Sequence, residues 1–322
     1  MDSRAPARPP GTGGGVRTVT VEESEADRRL DNFLIARLKG VPRAHVYRLI
    51  RSGQVRVNSC RAGPHQRLET GDKVRIPPVR TAPGTGGRHV PTASAAWIED
   101  RILYEDADLL VLDKPSGLAV HGGSGVSLGA IELLRAARPH SESLGLVHRL
   151  DRDTSGCLLV AKKQSSLRRL QSQFRAGTVQ KVYDALLIGV LKGNERLVDA
   201  PLLTSERKGG ERHVRVDPAG KAARTRFETQ ERLPGATRVR AILMTGRTHQ
   251  IRVHASHIGL PLAGDDRYGE QPDPVVSGYG LTRLFLHAAN IAFDSPRDER
   301  VIRVDSPLPA DLQQVLERLR RV

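Results

Sequence analysis

The sequence predicts an α+β protein: a small basic amino-terminal unit, then a larger unit built on a mixed, mostly antiparallel sheet. Three observations predict it. From Trp97 to Val322, apolar strand candidates alternate with fewer helical stretches. Residues 77–96 (PPVRTAPGTGGRHVPTASAA) hold too few large apolar side chains to build a core, so a linker is expected over 81–96. The 322 residues, 38% apolar and 27% charged, have the length and composition of two globular domains.

Residues 1–16 (MDSRAPARPPGTGGGV) are rich in Pro and Gly and carry no apolar stretch, so a disordered tail is expected and a secretory leader is not. The first folded unit is expected over 17–80. Leu30, Phe33, Leu34 and Leu38 stand at i, i+3, i+4 and i+8 and share one helix face, with Gly40 as the stop. Pro42 suits the first position of a second helix, which Gly53 ends. On that helix Val46, Leu49 and Ile50 fall on one side, while Arg43, Tyr47, Arg48 and Arg51 fall on another that can meet phosphates. Val55 and Val57, then 68–76 with a turn at Gly71-Asp72, read as short strands. Two short helices followed by SGQVRVNSCRAGPHQRLETGDKVRI resemble the S4 RNA-binding domain. That resemblance implies RNA contacts from Arg43, Arg48, Arg51 and Lys73.

The second unit is expected over 97–322. Strand candidates are 109–112, 144–150, 157–161, 181–189, 223–231 and 237–244. Helices are expected near 127–137, 165–175, 247–258 and 311–321, the last with Leu312, Val315, Leu316 and Leu319 as its apolar stripe.

Lys plus Arg number 51 against 36 Asp plus Glu, a net charge of +15 that asks for a polyanionic partner. Over half of the surplus lies in residues 25–80, with 13 Lys or Arg against 5 Asp or Glu. The two cysteines, Cys60 and Cys157, are far apart and exclude a disulfide framework or a Cys-built zinc site. No apolar run approaches the roughly 18 residues of a membrane span, so the cytoplasm is the expected compartment. His249, His254 and His257 lack a recognised ligand spacing, and no metal is expected. The glycines at 83–87 and 122–125 lack the endings of phosphate-binding loops, so no nucleotide cofactor is expected either.

The stretch of residues 146–160 runs from an apolar strand into the charged turn His148-Arg149-Leu150-Asp151-Arg152-Asp153 and back into an apolar strand. A carboxylate between two buried strands needs a cationic partner or a turn backbone to bond, and both remain open for Asp151. Neighbouring arginines disfavour a paired-carboxylate glycosidase, which needs one carboxyl protonated. A single ionised carboxylate acting as nucleophile or base at a sugar carbon fits better. Read by pattern alone, Tyr183 is a strand aromatic and Arg252 a helix-surface charge.

The nine residues HRLDRDTSG at 148–156 are similar to the signature of the RluA family of pseudouridine synthases. Further blocks match in the same order: DKPSGLAVHGG at 113–123, KVYDA at 181–185, GRTHQIRVH at 246–254 and LFLHA at 284–288; VHGGSG at 120–125 and GDDRYG at 264–269 are also similar. The resemblance implies that Asp151 is the catalytic aspartate, that Tyr183 packs on the target base, where it can also serve as the base that takes the C5 proton at the end, and that Arg252 pairs with the aspartate. It implies that Arg149 enters the RNA stack where a flipped-out uridine lay. The implied reaction breaks N1–C1′ of uridine and forms C5–C1′, with no cofactor. The implied partner is 23S ribosomal RNA or a precursor of the large ribosomal subunit, met by a monomer and without a membrane. The alternatives are a non-catalytic RNA-binding or ribosome-assembly protein, and a nucleosidase that releases uracil.

Overall fold

The computed structural model describes residues 15–38, 41, 43–79, 95–122, 128–139, 141, 143–206, 212–269, 273–298 and 300–322. Most of the expected tail and linker, with Gly40, Pro42 and the glycines at 123 and 125, lies outside the described residues. The chain divides into two compact units, Met1–His89 and Val90–Val322.

In the first unit, the helices α1 (Leu30–Arg37) and α2 (Arg43–Arg51) pack beside an antiparallel sheet. Its strands are β1 (Arg17–Thr20), β2 (Arg56–Val57), β3 (Cys60–Arg61) and β4 (Lys73–Ile76), in the order β1-β4-β2-β3. The expected apolar faces meet in one core: Leu30, Phe33 and Leu34 from α1, Val46, Leu49 and Ile50 from α2, and Val57, Val74 and Ile76 from the strands. Ladder pairing begins only at Lys73: Leu68 and Glu69, expected in a strand, lie outside any, Leu68 bonding the backbone of Asp27 and Arg28, and the turn falls at Thr70-Gly71. Tyr47 leaves the phosphate face as well: its hydroxyl donates to the buried Asp31 at 2.7 Å.

The second unit is built on a ten-stranded sheet. Its central path starts with β5 (Ile102–Glu105), β6 (Leu109–Lys114), β8 (Ser155–Ala161), β15 (Leu286–Asp294) and β9 (Gln180–Ile188). It continues through β14 (Ala236–Leu243) and β13 (Arg224–Leu233) to β10 (Glu195–Asp199). The short β7 (Gly145–Leu146) joins β8, and β16 (Val301–Asp305) joins β15. Only the β8–β15 pair is parallel, so the sheet is mixed and mostly antiparallel as expected. A separate hairpin pairs β11 (Leu202–Glu206) with β12 (Arg212–Val216).

Four helices bury the sheet. On one face α3 (Ala130–Ala137) and α5 (Gln250–His257) join one core with Leu110, Leu112, Leu158 and Val160, α5 lying against β12 and β13. On the other, α4 (Gln164–Ala176) sets Leu170 against Leu109, Val111 and Leu159. This two-sided burial is why β6 reads as an unbroken apolar run. The carboxy-terminal α7 (Ala310–Arg320) packs its stripe onto Leu186 and Phe285, beside α6 (Pro274–Tyr279).

One expected strand is cut short. Residues 144–150 pair with β8 only through Gly145 and Leu146. Val147 gives one more backbone bond to Leu159, and then the His148 side chain takes over: its Nε2 accepts the Leu159 N–H at 3.0 Å. A ring nitrogen thus stands where a strand carbonyl would, and the main chain is released into the loop that carries Asp151.

Candidate active site

That loop is held by donors reaching its backbone. The buried Lys114, at the end of β6, donates from Nζ to the carbonyls of Pro115, Leu118 and Arg152 at 2.9, 2.8 and 2.9 Å. Burial lowers its pKa to about 7, against the pull of Asp153 and Asp151, while three carbonyls match the three hydrogens of an ammonium. The Ser116 hydroxyl donates to Asp153 O at 2.7 Å and Gly117 N–H to Arg152 O at 2.9 Å. His148 stacks on Phe174 with ring centroids 4.7 Å apart, and burial lowers its pKa to about 4. At neutral pH it is an uncharged acceptor. Lys114 and His148 had no role from the sequence beyond membership of the matched blocks.

The loop, α5 and β9 enclose a cavity of about 540 Å³ that brings Asp151, Tyr183, Arg252 and Arg149 together. Asp151 is the one carboxylate among its lining residues, which include five cations: Arg149, Arg175, Lys181, Arg247 and Arg252. Asp153 lies outside the lining, with Arg152 at 3.1 Å from its carboxylate. The paired-carboxylate arrangement is therefore absent here. Asp151 is 19% exposed, enough for a ligand to reach it.

Tyr183 projects from β9 and is buried against the core of this face. Burial first, and the charge of Asp151 second, raise its phenol pKa. It is thus an uncharged hydroxyl at neutral pH, which disfavours a phenolate as the base for the C5 proton.

The pairing expected between Arg252 and Asp151 is corrected by the structure. Arg252 forms a two-pronged pair with the buried Asp265, Nε to Oδ2 at 2.8 Å and Nη2 to Oδ1 at 2.6 Å. Burial opposes the Arg252 charge, but the bonds and charge of Asp265, with Asp151 beyond it, raise its pKa. Two backbone N–H groups, of Arg267 and Tyr268, also donate to Asp265 Oδ1 at 3.0 Å each. Asp151 instead has Arg149 Nη2 4.0 Å from Oδ1 and His249 Nε2 3.8 Å from Oδ2. Arg252 acts on Asp151 through the field and not through a bond, because the turn after α5 presents a nearer carboxylate. Asp265 sits in the GDDRYG block, whose repeated aspartates were the available signal.

Of the three histidines weighed as ligands, His254 is buried between Thr225 Oγ1 at 2.9 Å and the Ala200 carbonyl at 3.0 Å, which is a structural role. Among the described residues no group of three His, Cys, Asp or Glu side chains is set to hold a metal. In the first unit Arg48, Arg51 and Lys73 are exposed, and the Arg43 side chain lies outside the described residues. Lys73 shares an open hollow of about 550 Å³ with Arg56 and Arg75 on the sheet, away from α2.

Comparison with known proteins defines the class first. Residues 108–257 match the RNA pseudouridylate synthase family, and residues 28–74 match the S4 domain. The solved structure of human RNA pseudouridylate synthase domain containing 4 superposes with a TM-score of 0.60 at 27% identity, covering 71% of this chain and 96% of that one. The particular relatives are bacterial. The ribosomal large subunit pseudouridine synthase C of Pasteurella multocida (strain Pm70) is 50% identical over 95% of this chain and 94% of its own. That of Escherichia coli (strain K12) is 50% identical over 95% of this chain and 97% of its own. The chain belongs to the RluA family of RNA pseudouridylate synthases.

Proposed function

We propose that this chain is a pseudouridine synthase that isomerises uridines of 23S ribosomal RNA, free or in a large-subunit precursor, acting as a cytoplasmic monomer. The observation that carries the reading is a single carboxylate, Asp151, among five cations in a cavity of about 540 Å³. One carboxylate suits chemistry at a ribose carbon, and surrounding cations suit a polyanion. A uridine stacked in folded RNA must be turned out before Asp151 can reach it, at roughly a few kcal/mol. Arg149, 53% exposed at the cavity, has the length to fill the space left in the stack. Asp151 then acts on the ribose, at C1′ or on the 2′ proton. The N1–C1′ bond breaks, uracil turns against Tyr183, C5 bonds to C1′, and the proton lost from C5 is balanced by one gained at N1.

The first unit supplies phosphate contacts through Arg43, Arg48, Arg51 and Lys73, which fix position and carry little base information. The similarity to relatives named for the ribosomal large subunit supports the choice of substrate. The test is Asp151→Asn, a change of charge with little change of shape. Pseudouridine formation in 23S RNA is expected to vanish while RNA affinity stays within about threefold, since no phosphate-binding cation is touched. Retained isomerisation, or free uracil released by the unaltered protein, would overturn the proposal.

A further inference from the structure

His249, in the matched block GRTHQIRVH, has no role in the reaction as drawn so far. It precedes α5 with its backbone in the left-handed region, φ 52° and ψ 22°. A residue other than glycine stays there only where its surroundings fix it, and such positions gather at active sites. The surroundings are specific. Nδ1 lies 2.8 Å from the Tyr268 hydroxyl, Nε2 lies 3.8 Å from Asp151 Oδ2, and the His249 and Tyr268 rings meet edge to face with centroids 5.6 Å apart.

The hydrogens can be assigned from the donors. The Val214 backbone N–H donates to the Tyr268 oxygen at 3.3 Å, so that oxygen is already an acceptor. With the phenol hydrogen donated to His249 Nδ1 at 2.8 Å, the hydroxyl is used once as acceptor and once as donor. A neutral imidazole that accepts at Nδ1 carries its hydrogen on Nε2, the nitrogen that faces Asp151. Burial lowers the His249 pKa, against the pull of Asp151, and favours this neutral form.

The other candidates for aiming the carboxylate are engaged elsewhere. Arg252 is bonded to Asp265, and Arg149, on the Oδ1 side, leaves for the RNA in the mechanism above. We propose that His249 is a positioning residue for Asp151, its Nε2–H directed at Oδ2 and its tautomer set by Tyr268. The gap of 3.8 Å closes to a hydrogen bond when bound RNA orders the carboxylate, as unliganded sites are commonly looser than occupied ones. The proposal rests on Asp151 being the reacting carboxylate.

Two substitutions and a spectrum test it. His249→Asn tolerates the left-handed backbone and keeps a group at the Nδ1 position for Tyr268, but cannot reach Asp151. His249→Gln places an N–H donor near the Nε2 position without an ionisable ring. Under single-turnover conditions His249→Asn is expected to lose about 10–100-fold in rate, the scale of a misaimed reacting group. Its RNA affinity should stay within about twofold, and His249→Gln should regain most of the rate. In the RNA-free wild-type protein, 15N shifts should place the hydrogen on Nε2, and Tyr268→Phe should weaken that preference. A wild-type rate in His249→Asn, no recovery in His249→Gln, or a hydrogen on Nδ1 in the wild type would each overturn the proposal. Asp151→Asn run in parallel separates the two claims. If it stays active, the catalytic reading fails and this one with it; if it is dead while His249→Asn is fully active, only the role of His249 falls.

Discussion

Replacing Asp265 with asparagine removes the charge from a carboxylate whose side chain is 0% exposed and leaves the Arg252 guanidinium, 7% exposed, without its partner. The asparagine oxygen can keep one of the two bonds now at 2.8 and 2.6 Å, but its NH2 group then faces another donor. Removing one member of a buried ion pair costs about 3–5 kcal/mol, mainly the cost of the stranded charge. In a unit of this size each kcal/mol moves Tm by about 2–4 °C, so a fall of about 6–20 °C is expected for the second unit. The pH dependence supplies a second check. Burial opposes the Asp265 charge but Arg252 outweighs it, so the folded pKa lies below the unfolded value of about 3.9. The pair's stabilisation is therefore present above about pH 4 and is lost as pH falls through the lower, folded value. Thermal unfolding of Asp265→Asn from neutral pH downward should start lower and flatten at the acid end. A Tm within about 2 °C of the wild type at pH 7 would mean that Arg252 is held by another anion, Asp266 first, whose Oδ1 already lies 3.5 Å from Nη2, and would refute its reliance on Asp265.

Gly156 sits at φ 105° on β8, and a Cβ there would stand 2.3 Å from the Ala288 carbonyl oxygen of β15. Gly156→Ala should cost about 2–4 kcal/mol in an unfolding experiment, because a backbone atom cannot rotate out of the way. Tyr183→Phe should leave the shape of the rate–pH profile unchanged between about pH 6 and 9, since burial and Asp151 already keep the phenol protonated there; a rising limb in the wild type that the variant lacks would restore a phenolate base. Arg48→Glu with Arg51→Glu should reduce the slope of log affinity against log salt by about 0.7–0.9 for each phosphate left unneutralised, and an unchanged slope would remove α2 from the RNA interface.

Much of this was legible in the residues, and the failures have physical causes. Period 3.6 found the buried faces of α1, α2 and α7, where one side meets a core. The long β9, β13 and β14 were found from their apolar and alternating residues. β5, β10, the β11–β12 hairpin, β15 and β16 were missed: β10 lies at an edge and leaves Leu197 exposed, and in the central β15 the polar His287 and Asn290 with small alanines between them break the apolar run. The end of β7 was misjudged because a side chain, His148, replaces a main-chain acceptor, and no periodicity records that. Asp151, Tyr183 and Arg252 were brought to one cavity as the matched blocks imply, yet the bond to Arg252 went to Asp265, 13 residues along the chain. Sequence order does not say which of two carboxylates a guanidinium will meet.

On the proposed mechanism, the same division lets Asp151 be held without its oxygens being used up. A two-pronged guanidinium on Asp151 would engage both of its oxygens, whereas a single N–H from His249 at Oδ2 leaves Oδ1 for the ribose. Here the strongest bonds go elsewhere: Lys114 grips loop carbonyls, His148 fixes the exit from the strand, and Arg252 is bonded by Asp265. What reaches Asp151 is attraction from 3.8 to 4.0 Å, enough to keep a charge in place in a partly buried site and weak enough to yield to a substrate. Rigidity comes from the loop backbone, and the proposed reactivity from the carboxylate it carries. A design that tightened Arg252 onto Asp151 would therefore be expected to strengthen the ground state and slow the enzyme.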